Sequence, residues 1–138
     1  AAAFFANFTC GAYVLHRPEK KDKNLTFTCF DKQHKVYKSL NEISTGTQTQ
    51  LLLAVRLAFA TRQEKIALPL CFDEPLAHSD GERFTAIARA LLQLAQEGRQ
   101  IFYFTCHEQE LPLWQQLASE MQNTSVNFVD LTKTLVQG

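Results

Sequence analysis

No apolar stretch in this chain approaches the ~18 residues a membrane-spanning helix requires, and no basic-then-apolar leader opens it. Secretion and membrane spanning are therefore not expected; a cytoplasmic location with no membrane partner is. Net charge is missing as well: 14 Lys and Arg balance 14 Asp and Glu, so the chain as a whole exerts no pull on nucleic acid or membrane. Glycine (five) and proline (four) are scarce and no repeat or low-complexity segment occurs, which excludes fibrous and disordered classes. Cysteine is limited to Cys10, Cys29, Cys71 and Cys106, with no C-x-x-C pair among them. Neither they nor His16, His34, His78 and His107 have metal-ligand spacing, so the thiols read as reduced packing residues. What the chain does have is 46% hydrophobic residues over 138 positions, enough for one compact domain with a real core. Ala1-Ala2-Ala3 is too short for a targeting signal and reads as the exposed end of something cut from a longer chain.

The hydrophobic period changes twice along the chain. Phe4, Phe5 and Phe8 fit the last turns of a helix stopped at Gly11. Tyr13 to His16, Leu25 to Phe30 and Val36-Tyr37 are short β-rich runs, read as a small antiparallel meander. Positive charge gathers here, with Arg17, Lys20, Lys21, Lys23, Lys32, Lys35 and Lys38 against Glu19, Asp22 and Asp31. From Leu51 to Ala60 the chain is apolar almost all round, which predicts a helix buried on most sides. Ile66 to Phe72 is a continuous apolar run, the pattern of a strand covered on both faces of a parallel sheet. Ser79 and Glu82 have capping-box spacing before the helical periodicity of Phe84, Ile87, Ala88, Leu91, Leu92 and Ala95, which Gly98 ends. A strand over Ile101 to Cys106, a helix over Leu111 to Met121 and a strand over Val126 to Leu131 follow. Strands alternating with helices predict an α/β fold, a parallel sheet with flanking helices, preceded by the meander.

Three places along this pattern carry chemistry. The strand ending at Phe72 delivers Asp73 and Glu74 at its carboxyl end, where open α/β sheets bind ligands; one carboxylate suits a phosphate-bound Mg²⁺ and the other an attacking water. An Asp-Glu-Pro turn that merely ends a strand has the same composition. Ser44-Thr45-Gly46-Thr47-Gln48, just before the apolar helix, offers a hydroxyl, backbone N–H groups and the positive helix end to an anion, and it equally suits an ordinary N-cap. His107 emerges after the second strand at the same sheet edge and can bond a phosphate or orient water, or act as a strand-end polar residue. Asp80 is a helix-start charge facing the dipole.

In order, these elements resemble the C-terminal lobe of an ABC-type ATPase head, in the branch of SMC proteins and coiled-coil DNA-repair ATPases. Ser44 to Gln48 is similar to the family's signature motif, with Ile43 in place of the leading Leu and Thr45 and Thr47 where small residues are frequent. Leu68 to Glu74 resembles the Walker B strand, Leu76 to Asp80 the D-loop with Asp80 as its acidic end, and His107 the switch histidine. The resemblance covers residues 40 to 110 most closely and implies a P-loop NTPase-like C-terminal half over residues 11–138, with residues 1–10 the end of a returning coiled-coil helix. It further implies ATP and Mg²⁺ as cofactors, Asp73 as the metal ligand, Glu74 and His107 as catalytic groups, and Ser44, Thr45, Gly46, Thr47 and Gln48 as a nucleotide contact made in trans across a homodimer of heads. No Lys in the chain follows a Gly, so a G-x-x-x-x-G-K-[ST] phosphate loop is absent, and the resemblance assigns it to an N-terminal lobe elsewhere in the protein. The implied process is DNA-related, in repair, chromosome maintenance or phage defence, with the isolated chain inactive. Two other readings are a non-catalytic interaction module on a head-like fold and direct nucleic-acid binding by the basic meander, where Phe27, Phe30 and Tyr37 interleave aromatics.

Overall fold

The computed structural model describes residues 1–16, 27–62, 68–76, 79–121 and 125–134. Arg17, Lys20, Lys21, Lys23, Glu19, Asp22, Leu25, Ile66 and His78, which entered the readings above, lie outside the described residues. The chain opens with helix α1 (Ala2–Phe8), whose Phe5 and Phe8 are fully buried. The Gly11 N–H reaches back to the Ala6 carbonyl at 2.7 Å and the Cys10 N–H to that of Asn7 at 2.9 Å, a two-bond close in which the first left-handed residue is Cys10 (φ 50°) and Gly11 (φ 79°) follows. Two successive left-handed residues turn the chain sharply into β1, and glycine makes the second one easy.

Strands β1 (Tyr13–His16), β2 (Thr28–Asp31) and β3 (Val36–Ser39) form the expected antiparallel meander, with Tyr13 opposite Asp31 and Thr28 opposite Ser39. Its tight turn is organised by Asp31, which is buried. The Asp31 carboxylate accepts from Lys38 Nζ at 2.7 Å, sits 2.8 Å from His34 Nδ1, and takes the backbone N–H groups of Gln33 and His34 at 3.0 and 3.1 Å. The Lys38 ammonium first, and then the His34 N–H, hold this carboxyl well below the usual carboxylate range. A folded-state pKa below the unfolded one means that the carboxylate contributes stability in full above about pH 4, the unfolded value, and loses it as pH falls toward the folded value. Acid should therefore lower the thermal midpoint of the native chain more steeply than that of Asp31→Asn, which starts lower at pH 7. Parallel curves from pH 7 to about pH 2.5 would show that the turn does not depend on this ion pair.

A 3-10 turn (Leu40–Glu42) leads into helix α2 (Thr45–Arg62). The helix is apolar nearly all round, yet it is not buried all round. Thr45, Thr49, Leu52, Arg56 and Phe59 form an exposed stripe at helical spacing, with Leu52 52% and Phe59 78% accessible. The opposite side, Leu51, Leu53, Ala54 and Leu57, enters the core.

Strand β4 (Leu70–Asp73), helix α3 (Gly81–Gln96) and strand β5 (Ile101–Phe104) make a parallel βαβ unit in which Asp73 lies opposite Phe104. The strands alternate rather than being covered on both faces, correcting that expectation. Leu70, Phe72, Ile101 and Tyr103 pack on the core, while Cys71, Asp73, Phe102 and Phe104 are exposed. Among the described residues the core lies against one face of the two strands, so the apolar residues of β4 and β5 alternate between buried and exposed. Helix α3 is capped by Asp80, whose side chain accepts the Arg83 N–H at 3.0 Å; the box starting at Ser79 does not form. Ser79 instead donates its N–H to Leu76 in the preceding turn, and Glu82 falls in the first turn of the helix. Gly98 (φ 94°) closes α3.

Helix α4 (Glu110–Glu120) inserts Trp114 between Phe84 of α3 and Tyr103 of β5, with ring centroids 5.7 and 4.7 Å apart. Residues 125–130 do not form the expected strand: they join no strand ladder among the described residues, Phe128 and Val129 are exposed, and Leu131–Thr134 is a short helix, α5. Asp130 binds the Thr132 N–H and hydroxyl at 3.0 and 2.6 Å, so side-chain bonding favours a helix start where hydrophobicity favoured a strand. The cysteines also depart from their reading as packing residues, because Cys10, Cys71 and Cys106 are exposed and only Cys29 is buried, all four as free thiols. Among the described residues no helix is long and apolar enough to cross a membrane.

Candidate functional site

Two surface features contain the residues singled out by sequence. The first is the bend before α2. Ser44 Oγ accepts the Thr47 N–H at 3.2 Å and lies 2.9 Å from Thr47 Oγ1, so Ser44 is the N-cap. Thr47 is buried and its hydroxyl is used internally, whereas Ser44, Thr45 and Gln48 are exposed. The Gln48 amide turns back to the carbonyls of Leu40 and Ile43 at 2.9 and 3.2 Å, pinning the bend to the 3-10 turn. A methyl built on Gly46 would sit 3.8 Å from Arg83 Nη1, and Arg83 Nε pairs with Asp80 at 3.2 Å. Arg83 thus lies close to both the bend and the helix start bearing Asp80, a proximity absent from the sequence reading. An arginine three residues after an acidic cap was the available signal.

The second feature is the carboxyl end of β4 and β5. Asp73 is the last residue of β4, and its carboxylate is exposed with no hydrogen bond or ion pair among the described residues. The next residue, Glu74, has a left-handed backbone (φ 46°) and donates its N–H to the Phe104 carbonyl at 2.9 Å. That turn carries its side chain sideways over the end of β5, where Glu74 Oε1 accepts the Cys106 N–H at 3.3 Å. The hydrogen bond from the thiol to the Glu74 carboxylate, with a smaller contribution from desolvation, pushes the Cys106 thiol above the usual cysteine range. His107, half-buried, donates its backbone N–H to Thr105 Oγ1 at 3.0 Å, and ligand atoms of Glu74, Cys106 and His107 all lie within 4.8 Å of one another. The tip rests on a buried layer: Tyr103 donates to the buried Glu110 at 2.8 Å, and burial followed by that carboxylate keeps the phenol protonated far above its usual range. Glu74 and His107 are therefore brought together as the sequence reading required, with Asp73 adjacent in the chain. Cys106 is the member it missed.

No family model matches the chain. The chain is 38% identical over 110 residues to the uncharacterised protein YhaN of Bacillus subtilis (strain 168), a match spanning 78% of this chain and 11% of that much longer protein. Among solved structures, a chain from a study of ATP-driven dimerization and DNA-stimulated activation of SMC ATPases superposes with a TM-score of 0.62 at 17% identity, covering 99% of this chain and 87% of that one. The Smc head of Pyrococcus furiosus with an extended coiled coil, bound to the C-terminal domain of ScpA, gives 0.61 at 18% identity over 99% of this chain and 35% of that chain. An Smc head bound to the C-winged helix domain of ScpA gives 0.58 at 22% identity over 78% and 33%. The fold is that of an SMC head's C-terminal lobe.

Part of the exposed apolar surface lies on the strand pair that carries the site. Phe102 and Phe104 on the open sheet face are 43% and 47% accessible, and Leu68, just before β4, is 59% accessible. Arg99 joins the base of this face to the end of α2, donating to the carbonyls of Leu68 and Ala60 at 2.8 and 3.1 Å. Arg99 thus bridges the end of α2 and the segment entering β4. Exposed aromatics on one sheet face make it a candidate interaction surface.

Proposed function

We propose that this chain is the C-terminal lobe of an ATPase head that hydrolyses ATP between two paired copies of the full protein. The observation that carries the reading is the convergence of Glu74 and His107 beside Asp73 at the carboxyl end of two parallel strands, the end at which such sheets act on their ligands. The bare face bearing Phe102 and Phe104 is assigned to the N-terminal lobe of the same protein, which supplies the phosphate loop.

Asp73 fits a magnesium ion: its carboxylate is a hard oxygen donor, exposed and without a competing partner among the described residues. When bound with the nucleotide, Mg²⁺ neutralises charge on the phosphate oxygens. Glu74 acts as general base, accepting the proton of the water that attacks the γ-phosphate. Its sideways placement over the end of β5, held by the Cys106 N–H, sets the carboxylate at the strand ends, where the attacking water is to be met. His107 donates a ring N–H to the γ-phosphate and so reports its presence. On the partner copy, the Ser44 hydroxyl and the first N–H groups of α2 face the same phosphate. Thr45, Gly46 and Gln48 shape that approach, Thr47 supports it from inside, and Asp80, locked to Arg83, lines the joint between heads. Closing and reopening this joint is the mechanical output, and a DNA-related task in repair, chromosome handling or defence is its use. The DNA-stimulated activation named for a structural relative supports that last step.

A mixing experiment tests the shared site. In the complete protein, Ser44→Arg should abolish turnover by blocking the partner's nucleotide, and Glu74→Gln by removing the base. Mixed in equal amounts, half of the pairs contain one of each and retain one intact composite site, so about a quarter of native activity should return. A mixture as inactive as its parts would show that the bend does not serve the partner's site.

A further inference from the structure

Glu74, Cys106 and His107 present a carboxylate oxygen, a thiol sulfur and an imidazole nitrogen within 4.8 Å of one another. A tetrahedral zinc ion, with bonds of about 2.0–2.3 Å, holds such atoms about 3.3–3.6 Å apart, so small side-chain rotations suffice to bring all three into its shell. The scaffold beneath is already set. The Cys106 N–H is bonded to the Glu74 carboxylate, the His107 N–H to Thr105 Oγ1, and the His107 carbonyl accepts the Glu110 N–H at 3.0 Å. Cys106 and Glu74 are open to solvent, so a cation has access. Three protein ligands with a fourth position facing water is the pattern of an exchangeable rather than a structural metal site.

The geometry points to a site for a thiophilic divalent cation, zinc first, formed by Glu74, Cys106 and His107. The sulfur is what separates it from the magnesium chemistry assigned to Asp73, since thiolate and imidazole select zinc or cobalt over magnesium. On binding, the Cys106 S–H bond breaks, its proton leaves to solvent and a metal–sulfur bond replaces it. The cation then occupies the space in which the thiol hydrogen-bonds the carboxylate. Its consequence rests on the function proposed above: an ion held there engages the general base and the phosphate-sensing histidine together, making zinc a brake on turnover.

The test uses Co²⁺ alone as probe, with no nucleotide, so its outcome is independent of the ATPase reading. Titration of the reduced chain should give one Co²⁺ per chain, with a thiolate-to-cobalt charge-transfer band and tetrahedral d–d absorption that Zn²⁺ displaces. Cys106→Ser should abolish the charge-transfer band, and His107→Ala and Glu74→Ala should each weaken binding at least about tenfold. Cys10→Ser and Cys71→Ser should leave the band unchanged. A band that persists in Cys106→Ser, no band in the native chain, or native affinity in both His107→Ala and Glu74→Ala would overturn the site. Circular dichroism of each variant checks that loss of binding is not loss of fold. Cys106→Ser replaces an exposed side chain by an isostere, so it supplies the decisive comparison.

Discussion

Replacing Glu74 by Gln in the complete protein should reduce steady-state ATP hydrolysis at least about a hundredfold, the lower range for losing a general base, while ATP-driven pairing of heads persists and lasts longer. The substitution is suited to the question because it changes little else. Gln keeps the length and planarity of the side chain and still offers a carbonyl oxygen to the Cys106 N–H, so the β4–β5 tip should hold its shape. What Gln cannot do is accept a proton from water at neutral pH. Binding uses the phosphates and the partner's bend, neither of which changes, so the nucleotide should remain trapped between closed heads. Hydrolysis at the native rate would remove Glu74 from its assigned role. Loss of pairing together with hydrolysis would mean that the carboxylate has a structural part in the joint.

Phe5→Ala should cost about 3–5 kcal/mol, the range for emptying a fully buried phenyl site. Phe5 has no accessible surface, packs near Tyr13 at 6.2 Å between ring centroids, and lies in the buried cluster that includes Phe8, Leu57 and Leu91. Against a stability of about 5–15 kcal/mol for an ordinary domain, that loss is a large part of the total. Phe59→Ala removes the same ring from a position 78% accessible and should change the unfolding free energy from a denaturant titration by less than about 0.5 kcal/mol. Similar costs at both positions would mean that the exposed stripe of α2 is covered in solution. A small cost at Phe5 would mean that α1 is an appendage to the lobe rather than part of its core.

Much of this arrangement was legible in the residues because it is local. The apolar period of α3 and its glycine stop, the short runs of the meander and the Asp-Glu pair at a strand end are each decided within a few positions. The slips arose where two local signals competed. Ser79 and Asp80 are both good caps, and the bond from Arg83 N–H to Asp80 settles the choice one residue later. Val126 to Leu131 has the hydrophobicity of a strand, but Asp130 and Thr132 hold it to a helix start. Two further features were beyond reach because they depend on contacts distant in sequence. The meeting of Glu74 with Cys106 follows from the Asp73–Phe104 register of a parallel ladder across 32 positions of chain. The exposure of Leu52, Phe59, Phe102 and Phe104 could not be read either, since an apolar run says that a surface avoids water and not which layer covers it.

Glu74 stands in a backbone conformation that glycine or asparagine adopts at lower cost (φ 46°). A saturation library at this position should consequently sort in opposite orders under heat and under selection for turnover. If Glu74 is the general base proposed above, the most heat-tolerant replacements should be inactive, with the native glutamate below them on the thermal scale. Directed improvement of shelf life will tend to erase this residue unless function is screened in parallel.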